Sequence, residues 1–384
     1  MGIIFFQILA YYISEKLRLV TTSQILKNID SYIQKIADLQ SSGDAFFSEG
    51  LFPAQRINSQ IGYNRPDTTI FFTAIITFTL QRLKPSLNET NNKIIEQIIG
   101  KATQNYPDFQ NKDGLKTYNF WKTKPSKHFP NGYIFRHFNH FKIPDDVDDT
   151  AMIYLTSNPT QEELLWLKQK LTQHANLSKF QIKNTYPEYQ NLKAYSTWFG
   201  KNMYIEFDVC VLCNLLYCIF ENKLPLNQHD TDSLTYIRLA IESNRYLSEP
   251  FRVAHQYPRT IPIIYHVSRL IGAFYIPELE PIKSKLIADA KQLLTQKNHW
   301  LDVVVLHISL MRLGERQLPE IVFPEVIDAV SFKGFYFFIA GLLTAYQNPF
   351  LYKIASSSLF HIQWQCEAHC WTLLAEYETL KSNL

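Results

Sequence analysis

Residues Ile143 to Leu155 read IPDDVDDTAMIYL and place four carboxylates within five positions, immediately ahead of an apolar helical run. One acid is enough to cap that helix, because a single Asp side chain satisfies an orphan backbone N–H, and one or two acids suit the helix dipole. Asp145, Asp146, Asp148 and Asp149 exceed that need. Like charges this close repel unless one carboxyl keeps a proton or a cation sits among them, and both arrangements characterise reaction centres.

Outward from this stretch the chain repeats a pair of helices. An apolar helix opened by a Pro, Asp or Thr signal is followed by a more polar, amphipathic one. The pattern predicts apolar helices over 67–83, 148–157, 207–221, 260–274, 300–313 and 360–380. Amphipathic partners fall at 89–104, 161–174, 231–246 and 277–296, with a fainter one within 331–346. Helices apolar on every face must be buried on both sides, whereas amphipathic ones must meet water. Two concentric rings follow, with no competing β pattern. The expected fold is all-α, an (α/α)6-type toroid forming a single domain over 1–384, with N-terminal helices 1–42 packed on it. Inner helices of such a ring run parallel, so Asp67, Asp146, Asp148, Asp149, Asp208 and Asp302 are expected at one mouth, each with the alternative of a plain helix cap. The long connections 42–66, 106–144, 177–203 and 246–259 fall on that side. They carry Tyr118, Trp121, Trp198, Phe199 and Tyr257, an aromatic mouth suited to binding a substrate.

The net charge is +3 with 19% charged and 46% hydrophobic residues, which excludes both a disordered chain and a polyanion binder, so nucleic acid is not an expected partner. Aromatic residues far outnumber the 12 glycines, which suits helices packed around an aromatic interior. Residues 1–13, MGIIFFQILAYYI, lack a basic start and a cleavage site, are interrupted at Gln7, and are too short to span a bilayer. A packed helix is expected there, with a peripheral membrane contact as the alternative. Cys210, Cys213, Cys218, Cys366 and Cys370 all lie in helical patterns, which points to reduced thiols and a cytoplasmic protein.

The residues DVDDTAM resemble the DxDD motif of class II terpene cyclases, the squalene-hopene and copalyl diphosphate type. That resemblance implies an acid-initiated cyclisation of an isoprenoid in an aromatic cavity, with Asp148 as proton donor and Asp146 and Asp149 tuning it. Alkenes are weak bases, so the acid must be kept protonated by crowding and apolar walls. The cations formed are stabilised by aromatic faces. In several such families a polar side chain hydrogen-bonds the acid; His266 is the expected partner here, with Tyr265 beside it. Asp67 and Asp208 join the aromatic residues as expected substrate contacts.

Other readings stay open at this level. DDVDD also satisfies the DDxxD pattern of class I terpene synthases, in which Mg²⁺ binds; Mg²⁺ is expected only with a diphosphate substrate. Lys122, Lys124, Lys127, Arg136 and His137 could receive that diphosphate. Asp208-Val209-Cys210 resembles the Asp-x-Cys zinc pair of protein prenyltransferase β subunits, with His266, His361 or His369 as a third ligand. Ringed carboxylates and aromatics also suit a carbohydrate-active toroid, a glycoside hydrolase or epimerase. A non-catalytic binding scaffold uses the same acids only as caps.

Overall fold

The first long apolar run forms a helix because twelve of its fourteen residues can be buried and Thr69 caps its start, the hydroxyl accepting from Phe71 N at 3.1 Å. This is α2, Ile70–Leu83, in the computed structural model, which describes residues 28–129, 137–341 and 346–384. Ahead of it residues 28–39 are helical (α1) and bury Ile29, Ile33 and Ile36 along one stripe. The rest of the expected N-terminal helices, including 1–13, lies outside the described residues.

Five further apolar helices follow: α4 (Val147–Thr156), α6 (Val209–Glu221), α8 (Thr260–Ala273), α10 (Trp300–Arg312) and α11 (Glu367–Ser382). Between them run α3 (Glu89–Thr103), α5 (Gln161–Thr172), α7 (Gln228–Glu242) and α9 (Glu280–Leu294). These bury one stripe each: α3 buries Asn91, Ile95, Ile98 and Ala102, at helical spacing. The six apolar helices are neighbours in a closed order. α2 packs on α4, α4 on α6, α6 on α8, α8 on α10, α10 on α11, and α11 returns to α2. α3 lies against α2, α7 against α6, and α9 against α7, α8 and α10.

The protein is mostly helical but not all-α. Four short strands, β1 (Ala54–Asn58), β2 (Tyr63–Asp67), β3 (Phe338–Ala340) and β4 (Ile362–Gln365), form an antiparallel sheet in the order β2-β1-β4-β3. Only β1 and β2 are joined by a local turn; β1 pairs with β4 through Gln55 and Gln365, from opposite ends of the chain. A pairing that distant leaves no local periodicity to read. For the same reason the helix expected over 360–380 begins only at Glu367, and within 331–346 the described residues carry β3 rather than a helix. Among the described residues no helix is long and apolar enough to cross a membrane. The five cysteines are buried free thiols.

Candidate active site

The acidic stretch is held from both sides before α4 begins. Asp146 N donates to the Tyr118 carbonyl at 3.1 Å and Val147 N to the Thr197 carbonyl at 2.9 Å, so the loops 106–144 and 177–203 both pin it. Asp146 is the N-cap: its Oδ1 accepts from Asp149 N at 2.7 Å. Asp145 turns outward, accepting from Asn111 Nδ2 (2.5 Å), Thr117 Oγ1 (2.6 Å) and Asn119 Nδ2 (3.3 Å). Asp146, Asp148 and Asp149 are all buried and line one cavity.

That cavity sits at the opening turns of α2, α4 and α6 and is closed by residues preceding α8 and α11 and by β3. It is a narrow cavity of about 70 Å³. The walls are Phe71, Phe120, Phe129, Trp198, Tyr257, Phe338 and Trp364. Phe338 and Trp364 stack at 5.5 Å and 17°, and Phe120 meets both edge-on. Apart from the three acids, the polar lining is Thr197, Gln256 and the Tyr257 hydroxyl.

The three carboxyls have unlike surroundings. Burial raises the pKa of each. Asp149 is pushed well above the usual carboxylate range by burial and then by Asp146 beside it, while Asp146 rises to about 7. Asp149 Oδ1 is buried without a partner, which an ionised carboxylate tolerates poorly, so the adjoining Asp146 and Asp149 carboxyls favour sharing a proton over ionising together. Asp148 is instead met by donors on both oxygens: Asn214 Nδ2 on Oδ1 and Tyr257 OH on Oδ2, each at 2.5 Å. The Asn214 amide is oriented by Arg269, whose Nη2 donates to its Oδ1. These hydrogen bonds, with the Arg269 charge behind them, oppose the burial that raises Asp148.

Several expected positions need correction. His266 does not touch the acid; its Nδ1 shares a hydrogen bond with the Pro262 carbonyl at 2.7 Å, and burial pushes its pKa well below the usual range. Its ring packs on Tyr257 at 4.7 Å, and Tyr257 takes the place expected of it. Of the expected aromatic contacts Trp198 and Tyr257 line the cavity, and the others do not. Tyr118 packs on Tyr154, Phe199 on His174, and Tyr265 OH donates to Glu376 at 2.9 Å. Trp121 Nε1 donates to Asp67, which also pairs with Arg56 at 2.7 Å. Asp208 caps α6, accepting from Cys210 N and Val211 N. Asp302 caps nothing and pairs with Arg259. Burial, and then Asp208 beside it, push the Cys210 thiol well above its usual range, and among the described residues no three His, Cys, Asp or Glu side chains gather as a metal site. Lys122 is spent on Asp108 and Ser48, and Arg136 lies outside the described residues.

Asn214, Arg269, Gln256 and Glu206 were not singled out by sequence. Asn214 and Arg269 did carry a signal, Asn214 as the one polar residue in the body of VCVLCNLLYCIFE and Arg269 as the one Lys or Arg in TIPIIYHVSRLIGA. Scanning the sequence against protein-family models gives no match, and neither does a search of curated proteins.

Proposed function

We propose that the closed cycle of apolar helices is the inner ring of an (α/α) toroid, and that the chain is an isoprenoid cyclase of the class II type working in a reducing cytoplasm. The observation that carries this reading is Asp148, a buried carboxyl between two hydrogen-bond donors, facing a narrow cavity walled by seven aromatic residues. In the proposed reaction the Asp148 carboxyl transfers its proton to the less substituted carbon of a terminal alkene. The tertiary cation left behind is attacked by the next π bond, closing a ring, and the last cation loses a proton. Aromatic faces around the cavity stabilise the moving charge. The Asp146–Asp149 pair stores a second proton beside the donor. A glycan-processing reading is less well supported, because glycoside hydrolysis needs two separated carboxylates across an open groove, whereas Asp67 and Asp208 are spent on Arg56, Trp121 and the α6 cap.

Asp148→Asn is the direct test. The amide oxygen can still accept from Asn214 and its NH₂ can donate to the Tyr257 hydroxyl, so the variant is expected to fold. Incubated with squalene or geranylgeranyl diphosphate and assayed for cyclic products by gas chromatography–mass spectrometry, it is expected to lose turnover at least about a hundredfold, the usual worth of a positioned general acid. Asp145→Asn should keep most activity. Full activity in Asp148→Asn, or equal losses at both positions with a strict Mg²⁺ requirement, rejects the assignment.

A further inference from the structure

The polar corner of the cavity is organised by a carboxyl that does not line it. Glu206 is fully buried and collects three donors: Trp198 Nε1 (3.2 Å) and Gln256 Nε2 (3.1 Å) on Oε1, and Tyr204 OH (2.8 Å) on Oε2. Trp198 and Gln256 both face the cavity. A glutamine amide has one donor end and one acceptor end, and its orientation is set by its partners. Because a carboxyl oxygen sits against one end of Gln256, that end is the NH₂, and Oε1 is the end turned away from Glu206. The main chain of Gln256 is fixed as well: N donates to Asp208 Oδ2 and the carbonyl accepts from Ile339 N, both at 2.8 Å.

We infer that Glu206 is a positioning residue that presents the Gln256 amide oxygen to the cavity as a hydrogen-bond acceptor, and that the site takes an isoprenoid bearing a hydroxyl group. The inference rests on the isoprenoid reading above and adds the functional group. A hydrocarbon that displaces water from this corner strands a desolvated carbonyl, whereas a hydroxyl replaces the lost bond. The aromatic walls pack against the rest of the ligand, which is apolar.

Isothermal titration of the full-length protein with farnesol and with β-farnesene measures the discrimination directly. The wild-type protein is expected to bind the alcohol roughly fivefold to tenfold more tightly, the worth of one neutral hydrogen bond. Gln256→Leu should abolish the ratio while keeping farnesene affinity. Glu206→Gln supplies an NH₂ against which Gln256 can turn over, so it should narrow the ratio; a purely structural loss would weaken both ligands alike. If Glu206→Gln does not fold, Gln256→Leu still decides. Equal affinities in the wild type, or an unchanged ratio in Gln256→Leu, overturn the inference and leave the isoprenoid reading standing. Binding of neither ligand overturns both.

Discussion

At the residue scale the acidic stretch works through its partners. Tyr257 holds Asp148 Oδ2, so Tyr257→Phe should lower turnover about tenfold to hundredfold while costing only about 1–2 kcal/mol in urea unfolding, one buried hydrogen bond to an acid. His266→Phe keeps the ring that packs on Tyr257 and should leave turnover near the wild-type value; a comparable loss there restores His266 as the acid's partner. The Asp146–Asp149 pair makes a separate prediction about pH. Asp146 has a folded pKa near 7, raised above the usual 3.8, so between those values the folded protein holds a proton that the unfolded chain has released. Stability attributable to Asp146 therefore falls as pH rises through that window. Asp146→Asn can keep the cap on Asp149 N and titrates nowhere in this range, so the variant should gain stability relative to wild type from pH 5 to pH 8. Melting both proteins across that range checks the sign. The acids themselves were legible in IPDDVDD, but their partners were not, because Asn214 and Tyr257 lie 66 and 109 positions from Asp148.

At the element scale the six apolar helices were legible from burial pattern, and their observed bounds differ mostly at the openings, where loops and strands take over the first residues. The sheet was not legible. β1, AQRIN, and β2, YNRPD, are polar and short, and β3 and β4 are three and four residues long; β4 joins the β1–β2 hairpin to β3 only by pairing across the chain. Their weight lies in the cavity wall. Phe338 is buried among Phe71 (5.1 Å), Phe72 (5.2 Å), Phe120 (5.8 Å) and Trp364 (5.5 Å). Phe338→Ala should therefore cost about 3–5 kcal/mol in chemical unfolding, the usual worth of a buried Phe. A cost under about 1 kcal/mol would mean that β3 is not part of the cavity wall.

At the scale of the whole molecule, the return of α11 onto α2 joins the last helix to the first of the cycle. α11 is buried from Ala368 to Thr379 on every face, so it is not an appendage. Truncation after Gln365 should leave a chain without a cooperative melting transition and without near-ultraviolet circular dichroism, whereas an appended helix would leave both nearly intact. The sequence by itself determined that this protein is built of alternating apolar and amphipathic helices and that its acids concentrate ahead of α4, because both are local properties of 3.6-residue periodicity and of adjacent charges. Only the tertiary structure decided which acid lines a cavity and which merely caps a helix. Asp67 and Asp148 both precede or open an apolar helix, yet Asp67 is neutralised by Arg56 while Asp148 faces aromatic walls drawn from six separate segments. Burial and the partners that meet a buried charge are set by packing between distant parts of the chain, and packing at that range leaves no trace in the order of neighbouring residues.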